Sequence, residues 1–302
     1  MRLAVAGLVN LQSGQDAACH QGHLIDMSAN TGLLLVGHGT RSEVGTAQFL
    51  ALAETIRQRV GDELRVEAAF LELQQPDIDA AVGRLVEQGI AQLVTMPLLL
   101  FAAGHAKEDV PGAVAAALAR RGRSNIRQTQ ARHLGCHPAV VQLSRLRMEE
   151  AECRAGDRGG GTGKREDCLL LIGRGSHDAS ATAEMHEFAG LRQQGLQGHA
   201  VKVAFLAMAR PLLAEQLTAV ARHDYRRVIV QPHLLFCGEL VDSIEQQVAG
   251  VQLQFPERKW ITTRPLADLP GTVSRATDLM ENVILDRCRE AGIHVVVAGA
   301  DD

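Results

Sequence analysis

No Cys-x-x-Cys pair occurs in this 302-residue chain, whose six cysteines stand apart as Cys19, Cys136, Cys153, Cys168, Cys237 and Cys288. Zinc knuckles, dithiol redox pairs and iron–sulfur ligand sets need closely spaced cysteines, so this scatter argues against all three. Six unpaired thiols suit a reducing compartment, and the chain is expected to be cytoplasmic. No run of about 18 apolar residues is present, so no membrane span is expected. The apolar stretch from Leu3 to Leu11 is too short for a signal peptide, and Asp16 spoils a lipoprotein-like reading of Ala17-Ala18-Cys19. Basic charge is not in excess either. With a net charge of -4, a nucleic-acid partner has no global electrostatic support. An anionic substrate would have to be met by arginines placed locally.

What the chain does have is a second copy of itself. Leu33-Leu34-Leu35-Val36-Gly37-His38-Gly39-Thr40 returns as Leu169-Leu170-Leu171-Ile172-Gly173-Arg174-Gly175-Ser176. Val66-Glu67-Ala68-Ala69-Phe70-Leu71 returns as Val201-Lys202-Val203-Ala204-Phe205-Leu206, and Met96-Pro97-Leu98-Leu99-Leu100-Phe101 as Gln231-Pro232-His233-Leu234-Leu235-Phe236. The offset is 136 residues at the first pair and 135 at the other two. A duplicated unit implies a two-lobed monomer with internal pseudo-twofold symmetry. Hydrophobic content of 46% and charged content of 22% suit two globular lobes, each with its own core. The expected division is a loose tail at 1–31, a first lobe at 32–153, a glycine-rich charged linker at 154–167, and a second lobe at 168–302. Cys19, His20 and His23 in the tail read as incidental.

Each copy alternates strand and helix. In the first, Leu33–Val36 is a continuous apolar run ending in glycine, as in a strand buried on both faces. Ser42 caps a helix to Val60, and Arg65–Leu71 is a second strand. Pro76 opens the next helix, with Ile78, Ala81, Val82, Leu85 and Val86 on one stripe, and Gly89 ends it. Ala91–Met96, Val110–Arg121, Ile126–Ala131 and Pro138–Cys153 continue the alternation. In the second copy, Ile293–Ala298 adds a strand-like run. The fold class is therefore α/β: two tandem doubly wound lobes built on parallel sheets, with the active cleft between them.

Ligands of such sheets bind outside the carboxyl ends of the strands. His38 follows the first strand and Glu72 the second, and His105 lies in the loop after the third, Gly104 to Pro111. Two imidazoles and a carboxylate on one rim form a ligand set for a divalent transition metal, with positions left open. Gly37 and Gly39 would let the backbone crowd against a bulky ligand. The second copy carries Arg174 opposite His38 and Ala207 opposite Glu72, and has no histidine at the place of His105. One copy reads as chemical and its sister as supportive. Arg41, Lys107, Arg174 and Arg210 lie at or near strand ends as candidate anion-binding side chains. His133 and His137 end the fourth strand, with His137-Pro138 shaping the helix that follows. His177 and His233 are candidate lining for the cleft.

These motifs together, Gly-His-Gly-Thr-Arg, Phe-Leu-Glu with Pro76 beyond, and Pro-Leu-Leu-Leu-Phe-Ala-Ala-Gly-His-Ala-Lys-Glu-Asp-Val-Pro, resemble the sirohydrochlorin chelatases, which are class II tetrapyrrole chelatases. The second copy's Gly-Arg-Gly-Ser-His-Asp resembles the degenerate half of the long fused form assigned as the cobaltochelatase. The resemblance covers residues 33 to about 285. It implies a lyase of cobalamin or siroheme biosynthesis that inserts a divalent ion into sirohydrochlorin, with His38, Glu72 and His105 as metal residues and His38 and His105 as catalytic ones. Cobalt is the implied ion, with ferrous iron and nickel open to the same donors. The histidine-rich tail and the Cys-containing cluster motif of some long members are absent, so no permanently bound cofactor is expected. Two readings compete. A histidine phosphatase would want an arginine immediately before its histidine, where Gly37 stands. A non-catalytic metal- or tetrapyrrole-binding protein with two lobes remains the other.

Overall fold

A computed structural model describes residues 30–101, 104–156, 167–269 and 274–293, with 104–107 described for the backbone alone. The first lobe runs β1 (Thr31–Gly37), α1 (Glu43–Val60), β2 (Arg65–Phe70), α2 (Ile78–Glu87), β3 (Gln92–Pro97), α3 (Gly104–Arg120), β4 (Arg127–Gln130) and α4 (Pro138–Arg154). The second repeats it as β5 (Asp167–Gly173), α5 (Ala179–Gln194), β6 (His199–Phe205), α6 (Leu213–Arg222), β7 (Arg227–Pro232), α7 (Glu239–Gln254), β8 (Lys259–Thr262) and α8 (Arg275–Glu290). The sheets are ordered β2-β1-β3-β4 and β6-β5-β7-β8, and each pairing is parallel. Strand order reverses on either side of β1 and β5, which opens a crevice at their carboxyl ends.

The alternation of side chains along the central strands sets the layers. Leu33 and Leu35 of β1 join Leu169 and Leu171 of β5 in one core shared by both lobes. Leu34 and Val36 face α2 and α3 in an outer core, and Leu170 and Ile172 face α6 and α7 in another. The helices between the sheets are thus α1, α4, α5 and α8. Ser42 caps α1 by accepting from the Gly45 N–H, and Asp77 caps α2 from the Ala80 N–H. Pro76 does not open α2 as expected. It lies one residue before the cap, and its carbonyl accepts from the Phe70 N–H at 2.9 Å.

The two lobes are locked by an exchange of arginines. Leu134 and Leu266 occupy equivalent places, donating to the carbonyls of Leu99 and Leu234 at 2.9 and 2.8 Å. Arg147 of α4 crosses to the second lobe and donates to the Leu266 carbonyl from Nε and NH2, at 3.1 and 2.8 Å. Arg287 of α8 crosses the other way to the Leu134 carbonyl, at 3.0 Å. Both arginines are buried, so each needs these acceptors. Reciprocal contacts of this kind are what a twofold interface makes. Ser144 of α4 and Gln231 of β7 exchange two further buried hydrogen bonds, at 2.7 and 2.9 Å.

The segment 104–109, read as a loop, belongs to α3, which begins at Gly104 and runs through Pro111. The helix therefore starts six residues before the expected Val110, and Pro111 stands inside it and costs it one ladder hydrogen bond. The strand expected at 293–298 lies outside the described residues apart from Ile293, as do the tail at 1–29 and most of the linker.

Candidate metal centre

The end of β1 and the end of β2 are held together beyond the sheet proper. Leu71 N–H donates to the Gly37 carbonyl at 2.8 Å, and Glu72 N–H to the His38 carbonyl at 3.1 Å. This register places His38 and Glu72 side by side, and His38 Nε2 lies 3.1 Å from Glu72 Oε1. Gly39 makes the approach possible. With φ +103, a Cβ there would stand 1.9 Å from the Glu72 carbonyl oxygen. The glycines of this motif therefore do not make room for a ligand as expected. Gly39 crowds Glu72's own backbone, and a Cβ on Gly37 would meet the Phe49 ring at 3.0 Å. Past Glu72 the chain turns through Leu73 at φ 68, and Gln74 Nε2 donates to the Thr40 carbonyl at 2.9 Å.

The second copy repeats the frame and changes the side chains. Leu206 N–H donates to the Gly173 carbonyl and Ala207 N–H to that of Arg174, while Met208 takes φ 61. A Cβ on Gly175 would meet the Ala207 oxygen at 1.7 Å. The unusual backbone is thus common to both lobes, and only one of them bears the imidazole and carboxylate. Arg174 reaches across the lobes, with NH1 at 3.2 Å from His38 Nε2.

That ring nitrogen has incompatible neighbours. A guanidinium offers only donors and an ionised carboxylate only acceptors, so one Nε2 cannot serve both. A cation held between the imidazole lone pair and the carboxylate would satisfy each. Donors about 2.1 Å from one ion and 3.1 Å apart subtend about 95° at it, which is ordinary coordination geometry. Both side chains are accessible, with 33% and 53% of their surfaces exposed. Among the described residues no three histidine, cysteine or acidic side chains gather around one point. The backbone of His105 stands in the first turn of α3, after β3; its side chain and that of Lys107 lie outside the described residues.

The candidate cations differ in their surroundings. Arg41 is exposed, with NH1 4.0 Å from Glu239 Oε2 of the opposite lobe. Arg210 is paired with Glu215 at the head of α6. Arg210, followed by the Leu212 N–H, holds that carboxyl below its ordinary range. Two histidines at the end of the fourth strand make contacts within the fold. His137 caps α4 by accepting from the Ala139 N–H at 3.2 Å, and burial lowers its pKa. His133 Nε2 meets Glu184 Oε1 of the second lobe at 2.7 Å, a contact the sequence did not signal. Gln48 is another such bridge, donating to Asp268 Oδ1 and accepting from the Cys237 N–H, both at 2.8 Å.

His233 does not line an open cleft. It is 3% exposed and packed between the rings of Phe101 and Phe188, with centroids at 5.1 and 4.2 Å. Burial, followed by the Arg192 charge, pushes its pKa from 6.5 to about 3. Between those values the unfolded chain binds a proton that the folded one refuses, so stability is lost as pH falls below 6.5. His233→Phe keeps the ring stack and removes the group. Urea unfolding at pH 7 and 5 should show the variant losing about 2 kcal/mol less than the wild type. An identical loss in both proteins would mean that His233 takes up its proton in the folded state.

The profile of the CbiX family matches residues 32–151 and 168–291, which is once per copy. A sirohydrochlorin ferrochelatase of Priestia megaterium is 30% identical over 217 residues, covering 72% of this chain and 77% of that protein. A sirohydrochlorin cobaltochelatase of the same organism is 24% identical over 223 residues, 74% and 70% of the two chains. The solved structure of SirB from Bacillus subtilis with Fe3+ superposes with a TM-score of 0.72 at 26% identity, covering 87% of this chain and 96% of that one. With the family profile spanning both copies and two matching parallel sheets, this chain belongs to the CbiX family of class II chelatases.

Proposed function

We propose that this chain inserts a divalent metal ion into sirohydrochlorin, with His38, Glu72 and His105 as the metal residues. The observation that carries the reading is the His38–Glu72 pair at the carboxyl ends of adjacent strands, 3.1 Å apart, present in one copy and replaced by Arg174 and Ala207 in the other. Insertion requires partial dehydration of the ion and removal of two pyrrole N–H protons. An imidazole and a carboxylate take the place of lost water, and a neutral imidazole also accepts a proton near neutral pH. A weak cage suits a metal that must be handed on. Sirohydrochlorin carries eight carboxylates, and Arg41, Lys107, Arg174 and Arg210 are proposed to pair with them.

Cobalt is the ion we propose, because the fused two-copy form with a degenerate second half resembles the cobaltochelatases. Iron is the second reading, supported by the 30% identity to the Priestia megaterium ferrochelatase. Turnover with cobalt, ferrous iron and nickel, followed by the visible spectrum of sirohydrochlorin, decides between them. Spectral change with none of the three would leave a metal- or tetrapyrrole-binding protein.

The domain division proposed is 32–153 and 168–302 around a linker at 154–167, acting as a monomer with its cleft between the lobes. Replacing 155–165 by a short Gly/Ser spacer should leave turnover within about twofold, since the stretch holds no core-forming side chains. A large loss of folded protein would show that the boundary is misplaced.

A further inference from the structure

Arg174 and His38 occupy the same place in the two copies, 136 residues apart, and they touch, with NH1 at 3.2 Å from Nε2. In a twofold arrangement, a residue meets its own equivalent only close to the axis. The metal residue of one lobe and the arginine of the other are therefore both axial, at the centre of the inter-lobe contact. The contact uses the same ring nitrogen that has Glu72 Oε1 beside it at 3.1 Å, so the guanidinium stands against the imidazole atom proposed to hold the ion. Arg174 has no acid at the equivalent strand end of its own lobe, where Ala207 replaces Glu72.

One lone pair cannot accept from a guanidinium and bind a metal at once. A divalent ion on Nε2 would sit about 2.1 Å away, inside the space that NH1 fills at 3.2 Å, and two positive centres so close repel strongly. Metal binding at His38 must move Arg174. The side chain is exposed and on a long flexible stem, so it can leave for a carboxylate of the macrocycle.

Resting on the metal-site reading above, we propose that Arg174 is a placeholder cation. It blocks the metal's place on His38 Nε2 until a macrocycle carboxylate takes its guanidinium, so macrocycle binding and metal binding favour one another. By linkage the coupling is reciprocal. The device keeps the ion weakly bound while there is no acceptor for it, and strengthens the site when an acceptor arrives. Arg174 is thus a positioning residue acting through His38.

The test is a titration with Co2+ alone, by calorimetry and by the visible bands of the bound ion. Arg174→Ala should bind Co2+ roughly five- to tenfold more tightly than the wild type, because the competing hydrogen bond and charge are gone. A second titration includes copper uroporphyrin, an octacarboxylate macrocycle whose centre is already filled. Wild-type affinity for Co2+ should then rise about fivefold, and that of Arg174→Ala should not change. Equal or weaker Co2+ binding by Arg174→Ala, or the same rise in both proteins, overturns the placeholder. Failure of the site reading looks different. His38→Ala should lose Co2+ binding with Arg174 present or replaced, and undiminished binding in both backgrounds would remove the metal site itself.

Discussion

His38→Ala is expected to lower metal insertion into sirohydrochlorin by at least about a hundredfold, since replacing even an outer-shell partner of a metal ligand costs 10–100-fold. Folding should be little affected. The side chain is one-third exposed and contributes to none of the hydrophobic clusters, and surface substitutions of that kind usually move stability by about 0.5 kcal/mol or less. Glu72→Gln keeps the shape of the second donor and removes its charge, so it should fall in the same direction by less. Initial rates from the tetrapyrrole spectrum at saturating cobalt, set beside thermal unfolding of each variant, check the pair. Wild-type turnover by His38→Ala would end its role as a metal residue. A matching collapse of stability would make it a structural histidine.

Much of this site could be read from the chain because it is written in short-range signals. A buried apolar strand ending in Gly-His-Gly fixes where His38 leaves the sheet, and the next strand does the same for Glu72. Their separation then follows from parallel pairing. The caps at Ser42 and at His137-Pro138 are equally local. What the sequence hid depends on contacts between distant segments. The hydrogen bond from Arg174 to His38 joins residues in different lobes, and a strand-end arginine suggests only an anion-binding side chain. The crossing of Arg147 and Arg287 has no local signature, because an arginine in an amphipathic helix looks like any solvated one. The burial of His233 is hidden for a similar reason: a strand-end position suggests a rim, but Phe101 and Phe188 close over it from opposite lobes. The early start of α3 was concealed by Pro111, a residue that ordinarily marks a boundary.

Gly39→Ala separates what the shared backbone does from what the chemical copy does. The new Cβ would stand 1.9 Å from the Glu72 carbonyl oxygen, on a residue at φ +103, so relief requires the β1 and β2 ends to part. Strain at a positive φ together with a backbone clash should destabilise the protein by about 2–4 kcal/mol. Gly175→Ala meets the Ala207 oxygen at 1.7 Å with φ +90, and by symmetry should cost a similar amount. The functional consequences should diverge. Parting the first pair separates His38 from Glu72, and a displacement of about 1 Å in a reacting constellation can cost on the order of a hundredfold. Parting the second pair moves Arg174 and an alanine, leaving the imidazole and carboxylate together. Chemical unfolding and Co2+ affinity of the two variants at a temperature where both remain folded would therefore show equal losses of stability, with loss of metal binding confined to Gly39→Ala. If Gly175→Ala loses as much Co2+ affinity as Gly39→Ala, the second lobe holds the ion as well, and the asymmetry between the copies does not divide their labour.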